Sequence, residues 1–318
     1  MTKLENSAHR ALVDYMGLTA HETLLVICDE PTREIGIALQ DAGRKICLES
    51  YYLEMRERDI NGQEPPAVVA EFMSKVDVVI CATYRSLTHT NARRLATKAG
   101  VRVGTMPGIT VPTLNRCFLA DSDEIIETNN KLVDILDNAK EIVLTTSLGT
   151  NAKFSAVGRK IISSTGVHRN MGEWGNIPSG EVYFAPVEDA VNGRLVIDGS
   201  VAGIGMLNEN IIIEIKNGMI SSILGGEQGT QLDDMLTKVG GKAKAVAEFG
   251  IGTNPKADIC GLILEDEKVM GTVHIAFGNN ISMDGSINVP IHIDCIIKSP
   301  TFTVDGKVIM DNGKLLID

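Results

Sequence analysis

The residues best suited to do chemistry in this chain are His292 and Asp294, in the segment VPIHIDCII. A strand alternates its side chains, so Ile291, Ile293 and Cys295 face one way while His292 and Asp294 face the other. An imidazole and a carboxylate on one face of a buried strand each need a partner, and a metal ion satisfies both at once. A second segment, GTVHIAFG, places His274 on the same face as the small Ala276, between Val273 and Ile275. A lone strand histidine is more often a hydrogen-bonded core residue than a ligand. Here two of the six histidines lie in apolar strands near a carboxylate, which points to metal. Two further carboxylates stand out by context. Glu181 follows a Pro-Ser-Gly turn at the start of EVYFAP, and Glu248 interrupts the small apolar run AKAVAEFGIG, where an unpaired acid is costly.

Together Glu181, Glu248, His274, His292 and Asp294 make two imidazoles and three carboxylates. Structural zinc favours Cys and His, so this set is too anionic for a closed structural site. It suits a pair of divalent ions that share a carboxylate and activate a water between them. Gly250, Gly252 and Gly278 would let backbone approach the ions or the substrate. The residues name no general acid or base. Lesser candidates are Glu173, Trp174 and Asn176 as pocket lining, and Glu188 and Asp189 as proton carriers or binders of an amine. The bland readings are an interface loop for the first group and a solvated turn for the second. His168 and Arg169 read as surface loop residues, and His9, His21 and His89 have no partner pattern.

The elements that must position these groups fall into two textures. Up to about residue 145, buried strands (TLLVICD, KICLESYYL, VDVVICATY, VRVGTMP, EIVLTTS) alternate with helical stretches, including a polar helix over residues 121–139. That alternation predicts an N-terminal doubly wound, mainly parallel α/β domain over residues 1–145. No G-x-G-x-x-G follows the first strand, where CDEPTREIG stands, which argues against a dinucleotide site. Beyond it, Asn192-Gly193, Asn217-Gly218, Asp305-Gly306 and Asn312-Gly313 punctuate strand-like runs as tight-turn dipeptides. They predict a β-rich α+β domain over residues 146–318 with one helix near TQLDDMLTKVGG. The net charge of −11 argues against nucleic acid as a partner, and no stretch is long and apolar enough to span a bilayer. Six scattered cysteines without a C-x-x-C pair read as buried thiols in a reducing, cytoplasmic setting.

The segments WGNIPSGEVYFAPVEDAVNG, AEFGIGTNP, GTVHIAFG and IHIDCII, in this order, resemble the M29 metallo-aminopeptidases of the aminopeptidase T and leucyl aminopeptidase type. The resemblance covers residues 145–318 well and the first half in outline. It implies a homodimer of two-domain subunits. It also implies two divalent ions (zinc or cobalt, with manganese possible), held by Glu181, Glu248, His274, His292 and Asp294, that hydrolyse the N-terminal peptide bond of a peptide or another small substrate. The interval between His274 and His292 is shortened and contains no tyrosine, so the tyrosine the family carries there is missing or supplied from elsewhere. The alternative is oxidative. His274, His292 and Asp294 alone are the two-histidine, one-carboxylate set of mononuclear non-haem iron oxygenases. The ring-cleaving dihydroxypyridine dioxygenases resemble the same aminopeptidase family and keep one metal. A non-catalytic binding protein that kept the fold is the third reading.

Overall fold

The computed structural model describes residues 1–317. The chain is a mixed α/β protein of two compact units. One comprises Met1–Glu124 and Ser164–Ser179, the other Ile125–Ser163 and Gly180–Asp318. The division is interleaved, where the sequence suggested a single crossing near residue 145.

The first unit contains a five-stranded parallel sheet in which Thr23–Cys28 lies between Glu49–Glu54 and Val78–Ala82, followed by Arg102–Thr105 and Trp174–Asn176. Leu25, Ile27, Val79, Cys81 and Val103 pack against Val69 and Met73 of the helix Ala67–Met73 and Ala92 and Ala96 of the helix Asn91–Lys98. These are the doubly wound layers that the alternating pattern predicts. One strand differs. Ile142–Thr145, expected as the last parallel strand, instead pairs antiparallel with Asn151–Phe154 and Thr301–Val304 in the second unit. A short buried strand has the same apolar texture in either setting, so periodicity does not reveal its partner. The fifth parallel strand is Trp174–Asn176, too short to show any period.

The second unit is a two-sheet β structure with two long helices, Gly226–Val239 and all but the first turn of Ser122–Leu136. An eight-stranded and a seven-stranded sheet share one apolar interior. Phe249 sits at its centre, with ring centroids 4.9 Å from Phe154, 5.5 Å from Phe184 and 6.1 Å from Phe302. Three of the four expected turns are tight turns with both residues at positive φ, namely Asn217-Gly218, Asp305-Gly306 and Asn312-Gly313. Asn192-Gly193 is not a turn. It begins the strand Asn192–Ile197, where a side chain at Gly193 would stand 2.2 Å from the Asn151 carbonyl oxygen. Among the described residues no helix is long and apolar enough to cross a membrane.

Candidate metal centre

All five residues singled out in the sequence lie on four neighbouring strands of the seven-stranded sheet: Glu181–Phe184, Val246–Gly252, Thr272–Gly278 and His292–Lys298. The register puts Glu248 opposite Ala276 and Ala276 opposite Asp294. Gly250 lies between Tyr183 and His274, Gly252 opposite Glu181, and Gly278 opposite His292. Alternation sends Phe249, Ile251, Ile275, Phe277, Ile293 and Cys295 into the apolar interior, so the polar set shares the other face. Small residues on that face make room for it. A Cβ on Gly250 would lie 1.9 Å from His274 Nε2, so the imidazole rests directly on the glycine backbone.

Glu248 is the hub. Its Oε1 is 3.1 Å from His274 Nε2 and its Oε2 3.3 Å from His292 Nε2, while His292 Nε2 is also 3.3 Å from Asp294 Oδ1. His292 Nδ1 lies 2.7 Å from the Asn279 carbonyl oxygen, to which it donates, and this turns Nε2 toward the carboxylates. His274 is fully buried, and the Glu181, Glu248 and Asp294 side chains are at most 12% exposed. The His292 side chain is 32% exposed, so the cluster opens to solvent at that end.

Sequence reasoning missed three residues here. Lys268, whose side chain is 1% exposed, places Nζ 2.6 Å from Glu181 Oε1 and also bonds Glu267. Both come from the segment LEDEKV, which reads as an ordinary solvated charge run. The chain can close there because Gly252 lacks a side chain, and a Cβ on it would meet the Val269 carbonyl oxygen at 2.1 Å. The third is Tyr183, two residues after Glu181 on the same strand and opposite Gly250. Burial raises its phenol pKa, and the charges of Glu181, Glu248, Glu267 and Asp294 raise it further.

The electrostatics are those of a cation receptor. Burial pushes the Glu267 carboxyl up to about 8 against the pull of Lys268, and raises Glu181 as well. Burial opposes charging His274, yet Glu248 and Glu181 raise it to about 9; Asp294 and Glu248 likewise raise His292 against burial. Glu248 is lowered to about 2, since the two imidazoles outweigh its burial. Buried carboxylates thus draw positive charge from every neighbour able to supply it. The donors form two sets, each with ligand atoms within 4.8 Å of one another: Glu248, His292 and Asp294, and Glu181, Glu267 and His274. The two sets adjoin, since Glu248 of the first lies 3.1 Å from His274 Nε2 of the second. The second holds the Lys268 ammonium between Glu181 and Glu267.

The lesser candidates lie elsewhere. In the first unit Trp174 stacks under Arg93, with Cζ 3.4 Å from the ring centroid. Glu173 binds Asn170 and Asn176 accepts from Thr105. His168 is half-buried, with its Nε2 shielded from solvent, and burial lowers its pKa to about 4. Arg169 is exposed and donates to the Asp14 carbonyl oxygen. In the second unit Glu188 is tied to Arg159 and to Ser286.

Residues 17–317 match the sequence family described as NicX: 2,5-dihydroxypyridine 5,6-dioxygenase. A 2,5-dihydroxypyridine 5,6-dioxygenase of Pseudomonas putida is 25% identical over 158 residues, which is 46% of this chain and 45% of that protein, so the matched stretch spans under half of the relative. The solved structure of the 2,5-dihydroxypyridine dioxygenase from Pseudomonas putida KT2440 superimposes with a TM-score of 0.80 at 17% identity, covering 99% of this chain and 98% of that one. Wild-type AmpT from Thermus thermophilus gives 0.70 at 14% identity, covering 99% of both. At such identities the two structural likenesses are likenesses of fold.

Proposed function

This chain belongs to the NicX family of 2,5-dihydroxypyridine 5,6-dioxygenases, and from that premise we propose that it is a mononuclear non-haem iron dioxygenase that opens the ring of a hydroxylated pyridine. Membership overturns the resemblance to the M29 aminopeptidases, and with it the reading of the chain as a hydrolase or protease. AmpT shares the fold alone. The ligand set misled because Glu181, Glu248, His274, His292 and Asp294 meet on one sheet face whichever chemistry the site performs.

The family implies a metal, and the donor set accommodates one. His274, His292 and Asp294 would hold it, as two imidazoles and one carboxylate that leave coordination positions open. When bound, ferrous iron supplies the redox centre through which dioxygen reacts with an electron-rich ring. Such a reaction would break one ring carbon–carbon bond and place both oxygen atoms in the product. The observation that carries the single-ion reading is Lys268, whose ammonium lies between Glu181 and Glu267 where a second ion of a zinc or cobalt pair would belong.

The chain's own residues have definite parts in this reading. Gly250 and the Asn279 carbonyl oxygen fix the two imidazoles so that both present Nε2 to the same space. A ligating imidazole is neutral and carries no proton on that nitrogen, which leaves the Glu248 oxygens to accept one from a substrate hydroxyl. Substrate enters beside His292, the exposed end of the cluster. Protein loaded anaerobically with ferrous iron and then given 2,5-dihydroxypyridine and air should consume dioxygen and bleach the ring absorbance. Full iron occupancy without oxygen uptake on any hydroxylated pyridine would overturn the assignment.

A further inference from the structure

We infer that Lys268 is a resident cation filling a second metal subsite, and that its ammonium is what keeps the centre mononuclear. The inference rests on the single-ion reading above and goes beyond it by naming the residue that sets the number of ions. Glu181, Glu267 and His274 converge as tightly as Glu248, His292 and Asp294 do, each set bringing its ligand atoms within 4.8 Å of one another. In the reading above His274 serves the first ion, so a second cation beside it would be held by the Glu181 and Glu267 carboxylates. The two sets differ in what occupies the space between the donors. Among the described residues, no lysine or arginine pairs with the solvent-facing set. The inner set encloses Lys268 Nζ, bonded to one oxygen of Glu181 and one of Glu267. His274 Nε2 stands 3.6 Å from the other Glu181 oxygen.

The placement is built by the fold and does not come from a mobile surface pair. The helix Ile263–Asp266 ends just before Glu267, and the backbone then turns so that the Asn254 N–H donates to the Lys268 carbonyl oxygen at 2.8 Å. Gly252 lets that stretch lie against the polar face of the sheet. A tethered ammonium held this way needs no uptake from solution, and a free ion must displace it to bind. Removing it leaves two carboxylates and an imidazole around an uncompensated space, an arrangement that is strongly unfavourable when buried and that a divalent ion relieves.

The test is the metal content of Lys268→Ala against wild type after loading each with manganese(II) and removing free metal. Wild type should retain about one ion per chain and K268A about two. The electron paramagnetic resonance spectrum should change from that of an isolated ion to that of an exchange-coupled pair. Lys268→Arg, which restores a cation, should return the count to about one. A folded K268A that still retains a single, uncoupled ion overturns the role of Lys268 and leaves the single-ion reading standing. Two ions in wild type overturn that reading itself. If K268A does not fold without metal, the double variant K268A/E267Q removes the ammonium together with one acid and retains the Glu181 carboxylate beside an amide oxygen in place of the other acid. It should gain the second ion, and one ion only would again overturn the proposal.

Discussion

Replacing Gly250 by Ala should disable the metal centre while leaving the fold in place. The added methyl carbon would lie 1.9 Å from His274 Nε2, 2.3 Å from Cε1 and 2.6 Å from Cδ2. Carbon and ring atoms rest at about 3.5–4.0 Å, so the imidazole must withdraw by well over an ångström. Its backbone cannot follow, because the His274 strand is paired on both sides, with Val246–Gly252 and His292–Lys298. The ring is therefore driven off Glu248 and away from the space it shares with His292. Overpacking of this kind costs about 1–3 kcal/mol of stability. The loss of an oriented ligand costs about 10–100-fold in metal affinity, and misplacement by about 1 Å costs on the order of 100-fold in rate. Calorimetric titration of the metal-free protein with cobalt(II), thermal melts by circular dichroism and oxygen uptake measure the three effects. Gly193→Ala is the control, for its methyl would meet the Asn151 carbonyl oxygen at 2.2 Å in the other sheet. It should lower the melting temperature and leave cobalt affinity unchanged. Wild-type cobalt affinity and turnover in G250A would refute the placement of His274 over the glycine.

Three further outcomes are expected. Asp294→Ala and His292→Ala should each lose retained iron on desalting and lower turnover at least about 100-fold, as metal analysis and oxygen uptake would show, with circular dichroism spectra unchanged. Burial raises the Glu188 carboxyl, but Arg159 and the Ser286 hydrogen bonds outweigh it and hold it at about 2, below its ordinary 4.5. A carboxyl with a depressed folded value contributes stability above the unfolded value and loses it as pH falls through the folded one. Glu188→Gln should therefore melt below wild type at pH 7, with the gap closing as pH falls from about 4.5 toward 2; an equal gap at pH 7 and pH 2 would refute the linkage. Of the six free thiols only Cys260 is exposed, Cys47 being partly so and the rest buried. Burial and the Glu265 carboxylate push the Cys260 thiol up to about 12, so a disulfide reagent should label it first but slowly in the native protein, and all six thiols in denaturant.

Much of the site was legible because its signal is local. In VHIAFG and IHIDC the polar residues fall on alternate positions among apolar ones, and this parity alone puts His274, His292 and Asp294 on one face. Glu248 stood out for the same reason. The tight turns at Asn217, Asp305 and Asn312 were equally local, since each is set by a dipeptide that accepts positive φ. Asn192-Gly193 shows the limit, for there the glycine serves the close approach of a neighbouring strand and no turn. Features fixed by distant partners could not be read. Ile142–Thr145 pairs with a strand more than 150 residues later, and Trp174–Asn176 completes a sheet whose other strands all precede residue 106. Lys268 is the costliest omission. Nothing in EDEKV distinguishes a buried ammonium from a solvated one.

The seven-stranded sheet gives each strand two obligations, an apolar row for the interior and a polar row for the site. Sliding any one of these strands by a single residue would exchange His274 for Ile275, or Asp294 for Cys295, and spoil both rows together. Evolution on such a scaffold has little freedom to re-thread the chain. New reactions on it have to arise by swapping side chains at stationary backbone positions, so the polar row can change its chemistry only one residue at a time while the framework stays as it was.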